Sequence, residues 1–356
     1  MIWIRLFFFA LSFSFSDACS PVLKPAPDPA HSTPQKPDST LVAFYNVENL
    51  FDTIDDPNII DEEFLPGSDL RWNARTYGVK LFNVAKVLSE IGGGDGPDIF
   101  GLAEVENRKV IADLIQQAPL AGRRYKIVHE DSPDERGIDV GLVYDSGIWK
   151  YRSHEAIRLT LPGDAGPTRL ILWTVLQSRG ETLHVIVNHW PSRREGQQES
   201  EPRRLEAASQ AFMLMTRIRL KEPDAHILVM GDFNDDPSDK SIREGLRARY
   251  QPDNLGPEDL FNPMAALHDP DTQGSLTYEG KWNLFDQIMV SKSLLGGAGW
   301  RYVPGSEGVF DPEFMQVGGN GQAKDAPRRS VFRGKFREDG FSDHFPVYLN
   351  LVWKGN

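Results

Sequence analysis

An α/β sandwich built on two packed sheets is the fold class this sequence predicts. Two observations carry the expectation. Strand-like apolar runs alternate with a few helical stretches along one continuous unit. Five of those runs also end in the same kind of polar cluster: Phe44-Tyr45-Asn46-Val47-Glu48, Ile99-Phe100-Gly101-Leu102-Ala103-Glu104, Leu183-His184-Val185-Ile186-Val187-Asn188-His189, Ile227-Leu228-Val229-Met230-Gly231-Asp232-Phe233-Asn234, and the closing Phe341-Ser342-Asp343-His344-Phe345. Strand ends running into loops are the usual address for chemistry in α/β folds. Acids, amides and histidines are the side chains that hold a divalent cation and move protons.

In chain order, Leu41 to Asn46 reads as the first strand, and Asp52 to Arg75, with Pro57, Pro66 and Gly67, as a long surface loop. Tyr77 to Ile91 repeats apolar residues at helical spacing (Val79, Phe82, Val84, Ala85, Val87, Leu88, Ile91) until Gly92-Gly93-Gly94 stops it. The Asp98–Ala103 run is the next strand. A second helix runs from Asn107 to Gln117, with Glu106 as an acid at its start. Strands follow at Tyr125–His129, Asp139–Tyr144, Ile157–Leu161, Leu170–Leu176 and Leu183–Asn188. Pro202 to Leu220 is a long helix with proline in its first turn and Met213, Leu214, Ile218 and Leu220 facing inward. In the strand entering Asp232, Gly231 frees the backbone; Asp232 and Asn234, two apart, project to one side of extended chain. Ser241–Arg249 reads as a short helix, Ser275–Thr277 and Phe285–Ser291 as strands, Val303–Arg337 as a Gly- and Pro-rich loop, and Val347–Val352 as the last strand.

The chain has 356 residues, 40% hydrophobic and 25% charged, ordinary proportions for a globular protein with a sizeable core. A net charge of -12 argues against a sequence-independent grip on nucleic acid through bulk charge, though not against a local basic site. Residues 1–19 read as a targeting leader: Arg5, then an apolar run from Leu6 to Phe15 too short to span a bilayer, then Ser16-Asp17-Ala18 before Cys19. The sole cysteine permits no intramolecular disulfide. Cys19 is either the lipidated start of an exported lipoprotein, and so a membrane tether, or an inert residue of a simply secreted chain. Residues 20–39, with Pro21, Pro25, Pro27, Pro29, Pro34 and Pro37, read as a flexible tether, and the globular part begins near Thr40. The expected location is periplasmic, secreted or anchored at an outer membrane.

The ordered set Asn46, Glu104, His189, Asp232-x-Asn234, Asp286 and Ser342-Asp343-His344 resembles the endonuclease/exonuclease/phosphatase superfamily, from about Leu41 to Val352. The resemblance implies a four-layer α/β/β/α sandwich of two packed mixed sheets, DNase I-like, as one domain over 40–356. It implies Glu104 as principal ligand of a Mg²⁺ (or Mn²⁺) ion, with Asn46 and Asp343 beside it. It further implies Asp232 as the acid that orients or deprotonates the attacking water, Asn234, His189 and His344 as phosphate contacts, and Asp286 as the partner of His344. Glu48 lies two residues beyond Asn46 and is expected to add a water-mediated metal contact. Many nucleases of this family place a tyrosine where this chain reads Arg136-Gly137-Ile138-Asp139. Arg136 and Asp139 are therefore expected at the substrate phosphate, Asp139 by fixing a neighbour there. Arg193 and Arg194, beside His189, are expected to form an anion clamp, since guanidinium pairs phosphate bidentately.

The implied activity is metal-dependent phosphodiester hydrolysis by direct attack of water, with nucleic acid, DNA or RNA, as the leading substrate and no obligate protein partner. The alternatives are a phosphatase or phospholipid phosphodiesterase of the same superfamily, or a non-catalytic surface binding protein on the same fold.

Overall fold

Strand β1, Ser39–Leu50, is apolar on both faces: Val42 and Phe44 point one way, Ala43 and Tyr45 the other, and all four are fully buried. Alternation of that kind places a strand at the centre of a sheet covered on both sides. The computed structural model describes residues 38–163, 166–278, 280–317 and 325–355. The expected leader, Cys19 and nearly all of the tether lie outside the described residues.

After β1 come α1 (Ala74–Glu90), β2 (Ile99–Val105), α2 (Arg108–Ile115), β3 (Tyr125–His129), β4 (Asp139–Asp145), β5 (Lys150–Ile157), β6 (Ile171–Ser178), β7 (Glu181–His189), α3 (Gln197–Lys221) and β8 (Ile227–Asp232). Then follow the short strands β9 (Ala248–Arg249) and β10 (Leu260–Phe261), the hairpin β11 (Leu276–Tyr278) and β12 (Lys281–Asn283), and β13 (Asp286–Ser291). The chain closes with β14 (Gly299–Tyr302), β15 (Gly308–Val309), the hairpin β16 (Val331–Phe332) and β17 (Lys335–Phe336), and β18 (Val347–Lys354).

One mixed sheet has the order β14-β18-β1-β2-β4-β3, with β15 on β18; the other runs β5-β6-β7-β8-β13-β10-β9. Val42, Phe44, Ile99 and Leu142 of the first meet Val185, Val187, Met230 and Ile288 of the second in a shared core. The outer face of the first sheet packs on Leu81, Val84 and Leu88 of α1 and Val110, Ile111 and Leu114 of α2. The outer face of the second packs on Ala207, Ala211, Leu214 and Ile218 of α3. The result is four layers, α/β/β/α. Each fully buried Val, Leu or Ile contributes about 1.5–3 kcal/mol, so three such cores fix the sheets that carry the site.

Several elements differ from the sequence reading. The fifth strand is Lys150–Ile157, not Ile157–Leu161. It is a largely exposed sheet edge, so its sequence carries no apolar alternation. In α3, which begins at Gln197 and holds Pro202 inside it, Leu214 and Ile218 are buried but Met213 and Leu220 are exposed. Residues 248–249 are strand rather than helix. The 52–75 segment is no plain surface loop: Phe64, Leu70 and Trp72 bury with Phe51 and Ile138 in a satellite core, against which Val331 and Phe336 of the β16–β17 hairpin pack. Asn73 caps α1 by accepting from the Arg75 and Thr76 amides, which starts that helix earlier than its apolar period suggests. Asn107 caps α2 in the same way, while Glu106 instead accepts the Asp52 amide at 2.6 Å.

Candidate active site

Three of the expected residues occupy one transverse row of the second sheet. His189 at the end of β7 is the register partner of Asp232 at the end of β8, and Asp232 is the register partner of Asp286 at the start of β13. Side chains directly opposite on neighbouring strands share a face and lie within reach of each other. Gly231 precedes this row because a Cβ there would sit 2.3 Å from the Asn188 carbonyl oxygen; close approach of the backbones, not freedom of φ, requires glycine.

The first sheet delivers Asn46 and Glu104. Glu104 adopts φ +62° at a register break where β2 meets both neighbours, a bulge that re-aims its carboxylate out of the ladder. Asn234 is also left-handed, at φ +51°. Left-handed backbone costs a non-glycine residue about 1–2 kcal/mol, and such strain gathers at functional positions.

The side chains interlock across the two sheets. Asn46 Nδ2 donates to Asp232 Oδ2 at 3.0 Å and to Glu104 Oε1 at 3.3 Å, while its Oδ1 accepts the Glu48 amide. Asn46 therefore orients two carboxylates, where a place among the metal ligands was expected. Glu104 also accepts the Asn49 amide at 3.1 Å, and Asp232 accepts the Asn234 amide at 2.9 Å. Asn234 Nδ2 donates to the Trp190 carbonyl at 3.0 Å. His189 Nε2 lies 3.6 Å from Asp232 and 3.9 Å from Glu104, and its Nδ1 has no hydrogen-bond partner among the described residues. His344 Nδ1 pairs with Asp286 Oδ2 at 2.6 Å. Ser342, bonded to the Asn46 carbonyl and to the His344 amide, ties this closing loop to β1.

Electrostatics divide the two histidines. Burial, then Arg169 and Arg136, push His189 well below the usual imidazole range, so it is neutral near pH 7. Burial acts the same way on His344, but Asp286 and Asp343 outweigh it and hold that ring well above the usual range, hence cationic. Burial raises the Asp232 carboxyl to about 7.

Glu104, His189, Asp232, Asn234, Asp343 and His344 line one cavity of about 380 Å³, together with Arg136, Arg169, Arg194 and Arg329. A larger cavity, about 620 Å³, lies at the other end of β1 and β2. Its Arg123 is already paired with Asp98 and Asp145, and it gathers no comparable chemistry. Glu104 and Asp343 present hard oxygen donors at the cavity wall, and their side chains stay partly exposed at 16% and 26%. That donor set fits a Mg²⁺-class cation. Asp232, Asp286 and His344 also bring ligand atoms within 4.8 Å of one another, but His344 and Asp286 already bond each other there.

Four expected site residues are placed elsewhere in function. Glu48 turns its carboxylate to the Ser330 amide (2.5 Å) and hydroxyl (2.6 Å), not to the cavity. Asp139 binds His129 and the Ser132 amide, fixing the loop before β4, and does not line the cavity. Arg193 touches the cavity wall, but its guanidinium is engaged by Asp235, Asp239 and the Asn234 carbonyl, over the Phe285 ring. Asn46 is the fourth, as above. Arg136 and Arg194 do reach the cavity; Arg136 donates to Asn49, and Arg194 has no ion pair among the described residues. Replacing Arg193 by Gln leaves three clustered aspartates short of one cation. Urea unfolding should show a loss of about 3 kcal/mol, the scale for breaking a buried pair.

Sequence reasoning missed Arg169 and Arg329. Arg169 sits just before a strand with no motif around it; its ion pair with Asp134 and bond to the Trp190 carbonyl appear only in the fold. The basic pair Arg328-Arg329 inside a Gly- and Pro-rich stretch was the available signal for the other.

Hard oxygen donors, imidazoles and guanidiniums gathered in one cavity suit the chemistry of phosphate esters. The sequence matches the Endonuclease/Exonuclease/phosphatase family over residues 41–353. The chain belongs to that family, whose members are divalent-metal-dependent hydrolases of phosphate esters. Among solved structures it is similar to truncated TDP2 of Caenorhabditis elegans (15% identity, 88% of this chain and 97% of that one, TM-score 0.52). It is likewise similar to a mannosyl-6-phosphatase of Bacteroides thetaiotaomicron (19%, 88% and 100%, 0.53) and to the human Nocturnin catalytic domain with bound sulfate (14%, 89% and 95%, 0.52). At these identities the likeness shows the fold alone. No curated protein matches the sequence.

Proposed function

We propose that this chain is a nuclease, hydrolysing nucleic-acid phosphodiesters by attack of an activated water. The observation that carries the reading is one cavity holding Asp232, one neutral and one cationic histidine, Asn234, and arginines that include Arg136, Arg169 and Arg194. A bound divalent cation, held by Glu104 and Asp343, would supply charge neutralisation at the phosphoryl group. Asp232, with a pKa of about 7, is matched to accept a proton from water near neutrality. Asn46 and the Asn234 amide fix the direction in which its oxygens face. Cationic His344 and the neutral imidazole of His189 donate to the oxygens on which charge grows.

Two features support a polymer over a small ester. Arg169, Ser192 and Arg194 of its wall also line a second cavity of about 250 Å³, a place for chain beyond one phosphate. Tyr278, 58% exposed on the β11–β12 hairpin, forms part of the wall, where a base can stack. The arginine density also favours a second reading, a phosphatase, because a terminal phosphate dianion demands more positive charge than a diester. Export, with a tether through Cys19 if it is lipidated, completes the proposal; the mass of the mature N-terminus tests it.

With Mg²⁺ or Mn²⁺ the protein should cut DNA or RNA and bis(p-nitrophenyl) phosphate, and EDTA should abolish both. Cleavage of p-nitrophenyl phosphate alone would make it a phosphatase. Cleavage of nothing under any divalent ion would make it a binding protein.

A further inference from the structure

Lys80 is a fully buried lysine on the inward face of α1, beside Leu81, Val84 and Leu88. Its ammonium donates to Ser330 Oγ at 2.8 Å and to the Phe341 carbonyl at 2.7 Å. Ser330 in turn gives both its protons to Glu48, from the amide at 2.5 Å and the hydroxyl at 2.6 Å. All three side chains are buried. An apolar contact would join helix to loop as firmly without desolvating two charges. What the ionic set adds is direction: it fixes Ser330 and Phe341, and these flank two residues of the catalytic cavity. Arg329 immediately precedes Ser330, and Asp343 follows Phe341 by two.

Everything around Arg329 is tied down. Arg328 bonds the Gln316 carbonyl and Asp339, the Phe341 amide bonds the Arg328 carbonyl, and Phe336 of the adjoining hairpin packs on Trp72. Among the described residues the Arg329 guanidinium, 40% exposed, reaches only Asp343, at 3.8 Å, and lies in the wall of the cavity that holds His189 and His344. A guanidinium on a fixed backbone, with no closer partner among the described residues, is set to take a phosphate in a bidentate pair.

We propose that Arg329 is a substrate-phosphate-binding residue, set over the catalytic cavity by the buried Lys80–Ser330–Glu48 network. Lys80, Ser330 and Glu48 are positioning residues. The inference rests on the phosphoester reading of the site, and inorganic phosphate separates the two, because its binding needs no turnover.

Calorimetry with inorganic phosphate should give Arg329→Gln a Kd about tenfold weaker than wild type, with partial recovery in Arg329→Lys. On bis(p-nitrophenyl) phosphate the Gln variant should raise KM about tenfold and leave kcat within about threefold. Lys80 substitutions risk the fold, so the network is tested by Ser330→Ala, which removes one hydroxyl and keeps the amide bond to Glu48. Ser330→Ala should weaken phosphate binding in the same direction. The double variant should be no weaker than Arg329→Gln alone, since both changes act through one contact. Wild-type phosphate affinity in Arg329→Gln overturns the assignment. Losses that multiply in the double variant overturn the positioning role. A protein that cleaves no diester, yet loses phosphate binding on Arg329→Gln, discards the nuclease reading and keeps this one.

Discussion

Replacing Asp232 with Asn is expected to remove at least about a thousandfold of kcat, the upper part of the range for general base catalysis, while raising the melting temperature of the metal-free protein at pH 8. The two effects share a cause. Asp232 is buried, and burial raises its carboxyl to about 7. A raised carboxyl pKa means the folded state resists ionisation more than the unfolded chain does. Above pH 7 the wild type carries the whole penalty; below it the penalty shrinks, and it vanishes only near pH 4, where the unfolded chain's carboxyl is protonated as well. Asn never carries the charge. The stability gain should therefore be present at pH 8 and shrink toward pH 5, as calorimetric melts at the two pH values would show. A stability difference between the two proteins that does not change from pH 5 to pH 8 would remove the burial account of this carboxyl, and turnover of the Asn variant at the wild-type rate would remove Asp232 from the role of base.

Asp286→Asn should act through charge on a different group. Burial alone would strip the proton from His344; Asp286, bonded at 2.6 Å, and Asp343 outweigh it. The raised pKa keeps the ring cationic through neutrality, and the contribution of that charge is lost only as pH rises through it. Without Asp286, burial regains ground and His344 loses its proton at lower pH. The alkaline limb of kcat should move to lower pH, with a loss of about a hundredfold at pH 7.5 that narrows toward pH 6. The stabilising share of the pair follows the same sign: present at acid pH and lost on the alkaline side. An alkaline limb that stays put would show that Asp286 holds the ring's orientation alone.

Much of this was legible in the residues because both sheets write their periods plainly. β1, β2, β7 and β8 are covered on both faces, so they appear as apolar runs with a polar ending, and that ending is the site. Legibility failed where the fold decides the partner. Glu48, Asn46 and Arg193 carry the right chemistry in the right neighbourhood. Only the three-dimensional fold shows Glu48 facing Ser330, Asn46 bridging two acids, and Arg193 among aspartates from the loop after β8. Edge strand β5 is exposed and so has no apolar pattern to detect. Lys80 was visible as a charge one residue out of phase with the expected stripe at Val79, and the stripe in fact includes it. Phe64, Leu70 and Trp72 were apolar residues in a stretch whose prolines and glycine read as solvent-facing.

The row of His189, Asp232 and Asp286 has a bearing on how such an enzyme diversifies. These groups are held by strand pairing, and a slip of one position would turn every one of them to the opposite side of the sheet. That row is thus locked into the scaffold, whereas Arg136 and Arg194 hang from segments outside the two large sheets. Under the proposed function, a descendant could trade one ester for another by rewriting those two arginines and leave the row in place.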